Sequence, residues 1–179
     1  MKKTLYLFVP VIAGIVLLAS CKGAPVSTAP AAKDSSVVMP YKASYSSSFT
    51  ISDSVKNEQL VLQSYKDWED DKLSNGAAYL ADTLTMDFPN GLHLKLKRDS
   101  IIHFWQKFRD SLSSSKIDMV SIVNLHSIDK NADWVCVWYK QTDTYKTGKV
   151  DSAFYNDVNN VAKGKIVYVS SQRQQLRKR

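Results

Sequence analysis

The chain has 179 residues, 44% of them apolar and 11% aromatic, with 24 Lys and Arg against 17 Asp and Glu. Lys2 and Lys3 open the chain, and Lys163, Lys165, Arg173, Arg177, Lys178 and Arg179 crowd its end without an acid. Residues 22–162 therefore hold 16 cations against 17 anions, which argues against a basic nucleic-acid groove across the body. The six glycines lie too far apart for a phosphate-cradling loop or a dinucleotide fingerprint, and no GxSxG occurs.

Met1-Lys2-Lys3 is a positive start, and Leu5 to Leu18 is an uncharged apolar run broken by Pro10. That run is short for a membrane span, which takes about 20 residues, and it suits a secretory signal over residues 1–20. Its end, Leu18-Ala19-Ser20-Cys21, resembles the lipobox of bacterial lipoproteins. The resemblance implies cleavage before Cys21 and acylation of Cys21, hence membrane attachment. Lys22 follows with no acidic run, and the resemblance then implies the bacterial cell envelope, at the outer membrane facing the periplasm. Residues 21–36, small and Pro-containing, read as the lipidated Cys and a flexible tether. Residues 37–53 read as an extended arm. Cys136 would be the one thiol left, a buried and inert one without a disulfide partner.

From residue 54 to 176 the pattern is periodic. Asp53 or Ser54 can cap a helix whose Val61, Leu62, Tyr65 and Trp68 share a face. Leu73, Ala77 and Leu80 predict a shorter second helix. Thr83–Phe88 favours a strand, Pro89-Asn90-Gly91 a turn, and Leu92, Leu94 and Leu96 alternate as a strand. Asp99 is a candidate N-cap for a third helix carrying Ile101, Phe104, Trp105, Phe108 and Leu112. Four longer strands are predicted near 116–128, 133–144, 149–158 and 165–174, joined by turn-forming Asp-Lys-Asn, Thr-Gly and Lys-Gly. Residues 177–179 are a basic tail. The order reads as an α+β domain.

Tyr65-Lys66-Asp67-Trp68-Glu69, Ala78-Tyr79-Leu80-Ala81-Asp82 and Phe88-Pro89-Asn90-Gly91 come in sequence with Asp99-Ser100-Ile101-Ile102, Asp133-Trp134-Val135-Cys136-Val137-Trp138 and Gly164-Lys165-Ile166-Val167. In that order and spacing the chain resembles the nuclear transport factor 2-like superfamily, in its SnoaL-like branch. The resemblance implies a cone-shaped, curved antiparallel sheet with three helices on its concave face, a cystatin-like α+β barrel, enclosing a pocket. Such domains include dehydratases, isomerases and cyclases as well as proteins without activity, so the site must decide function.

Strand alternation and helix faces nominate Tyr65, Trp68, Phe88, His93, Trp105, Trp138, Tyr139 and Tyr155 as pocket residues for a small apolar ligand. The family's enzymes use an Asp or His base in a dry pocket, where burial raises a carboxyl pKa. Strand alternation and position offer Asp151 or Asp87 as such a base and Tyr155 or His126 as its partner, though the chain departs from the Asp/His/Tyr set of the family's enzymes. The reading placed first is nevertheless a non-catalytic binding or interaction module, because aspartates are mostly exposed unless paired. A hydratase or isomerase with a pocket Asp is the alternative. No cofactor is implied. The acidic group Asp67, Glu69, Asp70 and Asp71 lacks a calcium-loop pattern, and His93, His103 and His126 lack zinc spacing, so no metal is expected. The unbroken apolar run Trp134–Tyr139 predicts a strand covered on both faces, by the arm or by a second copy in a homodimer.

Overall fold

A computed structural model describes residues 38–176. The signal segment, Cys21, the tether and the tail 177–179 lie outside the described residues. The arm contributes only a short strand, β1 (Phe49–Ile51). It is followed by α1 (Val55–Glu69), a 3₁₀ helix (Leu73–Ala78), β2 (Leu80–Asp87), β3 (His93–Lys97) and α2 (Arg98–Arg109). Four long strands complete the domain: β4 (Leu112–Ser127), β5 (Ala132–Tyr145), β6 (Val150–Ala162) and β7 (Lys165–Gln175).

The strands form a seven-stranded sheet in the order β1-β4-β5-β6-β7-β2-β3. The α+β class is as predicted, with two qualifications. β2 pairs with β7 in parallel, so the sheet is mixed, and β1 and β3 are free edges, so it does not close into a barrel. Register shifts in the β4–β5 and β6–β7 pairs insert bulges, which bend strands and sharpen their twist.

Two local expectations are corrected. The second helix is a six-residue 3₁₀ segment, and Leu80 starts β2, where it pairs with Ile166. Gly76 explains the tight turn, since a Cβ there would lie 2.6 Å from Ile102 Cδ1, and glycine is also a poor α-helix former. The third helix starts after Lys97 rather than Asp99, which sits in its first turn where a carboxylate complements the helix dipole.

Helix and sheet meet in one core. Val61 of α1 and Ile101 of α2 are fully buried with Leu84, Val135, Val137 and Ile166. Full burial of each such side chain is worth about 1.5–3 kcal/mol. The apolar β5 run splits by alternation. Val135, Val137 and Tyr139 face this core, whereas Trp138 is 39% exposed on the outer face. Tyr45 of the arm packs edge-on to Trp134 at 5.5 Å, so the arm covers one end of that outer face.

The ends of α1 and α2 are tied by a buried cation. Arg109 Nε donates to Trp68 O at 2.8 Å and Nη2 to Glu69 O at 2.9 Å, in the last turn of α1. Arg109→Ala leaves those contacts unmade, and hydrogen bonds from charged groups contribute about 1.5–3 kcal/mol each. We expect urea unfolding to show a loss of about 2–3 kcal/mol. A loss below about 0.5 kcal/mol, usual for a surface site, would contradict the tie.

Candidate active site

Side chains from both helices, the 3₁₀ segment, the β2–β3 turn and strands β2 and β4–β7 enclose a cavity of about 520 Å³. Such a volume is typical of a small-molecule site. Tyr65, Trp68, Phe88, Trp105, Tyr139 and Tyr155, all nominated from sequence, line it. Their rings pack on neighbours: Trp68 stacks on Phe108 at 5.9 Å, Phe88 meets Phe104 edge-on at 5.6 Å, and Tyr139 stacks on Tyr155 at 5.3 Å. Two nominees are not in the lining. Trp138 is outward because its strand neighbours Val137 and Tyr139 point inward, and His93 is exposed on β3, where its Nδ1 meets Asp87 Oδ1 at 2.6 Å.

The polar centre of the cavity is Asp157, in the middle of β6 and 5% exposed. Its Oδ2 accepts hydrogen bonds from Tyr65 Oη of α1 at 2.7 Å and from Tyr139 Oη of β5 at 2.8 Å. Its Oδ1 is buried and has no hydrogen-bond partner among the described residues. Burial pushes the Asp157 carboxyl above its ordinary pKa, and the hydroxyls of Ser171, Tyr65 and Tyr139 oppose that only in part. Burial, followed by the Asp157 charge, pushes both tyrosines well above their usual value, so they remain donors at neutral pH. Asn159 donates to Val135 O at 3.2 Å and weakly to Tyr65 Oη at 3.5 Å, steadying the ring from the sheet side.

Of the four nominated bases and partners, Asp151, Asp87 and His126 fall outside the cavity lining. Asp151 lies at the start of β6, three pleat repeats before the cavity centre, where Arg173 Nη2 donates to it at 2.7 Å and Gln175 at 3.1 Å. It is an ion-pair partner at the edge of the site and does not line the cavity. Asp87 accepts from Tyr168 Oη at 2.5 Å and contacts His93; the Tyr168 bond first and His93 second hold its carboxyl below the usual range. A carboxylate so stabilised is a weak base. His126 pairs with Asp133 at 2.7 Å, with Asn57 on the other Asp133 oxygen, outside the cavity lining. Only Tyr155 of this group lines the cavity, and its hydroxyl accepts from Arg173 Nε at 2.9 Å. Arg173, grouped from sequence with the basic residues that crowd the chain's end, is thus part of the cavity wall. Cys136 is half-buried, and burial pushes its thiol up, which fits an inert role.

Asp157 and Gln141 are two polar lining residues that sequence reasoning did not nominate. Both were visible by alternation: Asp157 shares a strand face with Ala153 and Tyr155, and Gln141 with Val137 and Tyr139. The missing information was depth. Position 151 is a strand start, whereas 157 pairs with Val137 at mid-sheet. Among the described residues, no cluster of three or more His, Cys, Asp or Glu side chains could hold a metal ion, and no helix is long and apolar enough to cross a membrane.

No family model and no curated protein matches the sequence. Solved structures do match the fold. A nuclear transport factor 2-like protein of unknown function from Burkholderia pseudomallei K96243 superposes with a TM-score of 0.55 at 17% identity, over 66% of this chain and 91% of that one. A candidate SnoaL-like polyketide cyclase from Jannaschia sp. CCS1 gives 0.54 at 10% identity, over 66% and 85%. An epoxide hydrolase of the LEH-like type from M. tuberculosis gives 0.55 at 11% identity, over 66% and 83%. The likeness establishes the nuclear transport factor 2-like fold that the sequence motifs pointed to; identities this low carry the fold alone.

The raised Asp157 pKa has a consequence for stability. The folded chain prefers the neutral acid, so this contribution is full below the unfolded pKa of about 3.9 and is lost as pH rises through the folded value. Asp157→Asn is fixed in the neutral form. Its stability relative to wild type should therefore increase as pH rises above the ordinary carboxylate value of about 3.9 in urea unfolding, and a difference independent of pH would contradict the shift.

Proposed function

We propose that this nuclear transport factor 2-like domain binds a small, mainly apolar molecule in its cavity and that Asp157 transfers a proton to or from it. The observation that carries this reading is the buried Asp157 carboxyl, with Oδ2 held by two tyrosines and Oδ1 unpartnered. A passive binding module has no need for such a group, whose burial without full pairing is unfavourable. For proton transfer it is useful: one oxygen is fixed in position while the other keeps a lone pair for the reacting proton. The elevated pKa makes the carboxylate a stronger base than a solvated one. Reaction types that need one such group are proton abstraction beside a carbonyl, dehydration and base-assisted addition of water. The solved structures that share the fold include proteins described as a polyketide cyclase and as an epoxide hydrolase, which is compatible with this class.

5-Nitrobenzisoxazole tests the base without knowledge of the natural substrate. Asp157 takes its ring C–H proton, the electron pair forms the nitrile, and the N–O bond breaks to release a cyanonitrophenolate whose colour is followed. Wild type is expected to accelerate this reaction, with a rate that rises with pH through an inflection above the ordinary carboxylate range. Asp157→Asn should lose at least about 100-fold, the usual weight of a positioned base. Equal rates for wild type and variant would favour the non-catalytic binding module.

The same proposal includes attachment to a membrane through acylated Cys21, supported by the Leu18-Ala19-Ser20-Cys21 motif and the apolar run before it. It also includes a second copy packed on the outer sheet face, where Trp138, Phe154 and Val120 are exposed. Expression in a Gram-negative host with an alkyne fatty acid should label wild type and leave Cys21→Ser unlabelled. Label retained by Cys21→Ser would remove the anchor.

A further inference from the structure

A second polar network meets the cavity at the other end of β5. Trp68 Nε1 of α1 donates to Ser115 Oγ at 3.0 Å, and Ser115 Oγ donates to Asp143 Oδ1 at 2.6 Å. Ser115 and Asp143 are both buried, 8% and 7% exposed. Gln141, which lines the cavity, sends its Nε2 to the same carboxylate, 3.0 Å from Oδ1 and 2.9 Å from Oδ2.

This arrangement decides which way the Gln141 amide faces. Asp143 Oδ1 already accepts from Ser115 and both its oxygens lie within hydrogen-bond distance of Gln141 Nε2, so the amide turns its NH₂ to Asp143. Ser115 in turn has its proton on Asp143 and its lone pair on the indole N–H, so it does not compete for the opposite amide orientation. The Gln141 Oε1 has no hydrogen bond to any described residue and is the group left for a cavity occupant. It is a pure acceptor, so it discriminates. An incoming O–H or N–H is satisfied, whereas an ether or ketone oxygen at the same place is left unpaired and repelled.

Gln141 and Asp157 also set a length. Gln141 lies four residues along β5 from Val137, the residue opposite Asp157. At strand rise that is roughly 13 Å. Between them Tyr139 and Tyr155 stack at 5.3 Å, and Arg173 lies beside Tyr155 with its guanidinium engaged by Tyr155 Oη and Asp151.

We propose that Gln141 is a specificity-determining residue, oriented by the Trp68–Ser115–Asp143 chain, and that it selects elongated, flat apolar ligands bearing a hydroxyl or N–H at the end remote from Asp157. The proposal rests on the cavity reading above and adds the substrate class. Asp143 and Ser115 are positioning residues, since they act through the amide.

Binding of trans-4-hydroxystilbene and trans-4-methoxystilbene, followed by their fluorescence, tests it with two probes of one shape. Wild type should prefer the hydroxyl compound by about 10-fold, the equivalent of one neutral hydrogen bond. Gln141→Met keeps the side-chain length and should bring the two affinities within about 2-fold, mainly by weakening the hydroxyl compound. Asp143→Asn frees the amide to turn over and should erase the preference with Gln141 still present, an effect that a merely structural Asp143 would not produce. It also serves if Gln141→Met fails to fold. Asp118→Asn, a surface site outside the cavity lining, should keep the preference. Equal wild-type affinities, or a preference that survives Gln141→Met, would overturn the assignment while leaving the cavity reading intact. Failure of wild type to bind either stilbene would overturn both.

Discussion

A carboxyl group removed from water is destabilised unless it is hydrogen-bonded or neutral, and the placement of Asp157 makes this the constraint on which the site depends. One oxygen is satisfied by Tyr65 and Tyr139, which come from α1 and β5 respectively. The carboxyl therefore joins helix to sheet at the cavity wall. Its second oxygen stays unpartnered, and burial raises its pKa. A neutral or ionised group at this position is a choice the protein leaves to pH and to whatever occupies the cavity. Buried polar groups in a low-dielectric interior have large effects in either direction, which is why a single carboxyl separates a binding module from a proton-transfer site.

The rest of the fold supports that arrangement. The open, bulged sheet offers one face to α1, the 3₁₀ segment and α2, and the apolar core of Val61, Leu84, Ile101 and Val137 fixes the helices against it. Arg109 joins the helix ends through backbone carbonyls. Lys165 donates to Ala77 O and Ala78 O, which pins the 3₁₀ segment to the start of β7. Arg173 bridges Asp151 and Tyr155. Three cations outside the N-terminal segment are thereby structural, which further removes the basic C-terminal region from any simple reading as a charged tail.

The fold was legible where periodicity is strong. The α1 face of Val61, Tyr65 and Trp68, and the four long strands, follow directly from spacing. The 3₁₀ segment was misread as a helix because Leu73, Ala77 and Leu80 satisfy helical spacing; the close approach of Gly76 to Ile102 is a tertiary fact that spacing does not contain. The parallel β2–β7 pairing is likewise a long-range contact. At the site, six of eight nominated pocket residues line the cavity because aromatic side chains on inward faces are a robust signal. The buried carboxyl lies six residues beyond the nominated Asp151 on the same strand face. Alternation tells inward from outward but not rim from centre, and Asp151 and Asp157 share the same parity. Asp151 lies where Arg173 can reach it; Asp157 lies among hydroxyls, with no cation on it.

The account stands or falls on the protonation of one side chain. Carbon-13 NMR of the protein labelled at aspartate side-chain carboxyls, with the Asp157 resonance assigned by its absence in Asp157→Asn, follows that group directly through a pH titration. A midpoint clearly above the ordinary Asp value of about 3.9 is the predicted result. A midpoint at or below that value would mean a carboxylate comfortable in its charged form, and would contradict the buried base.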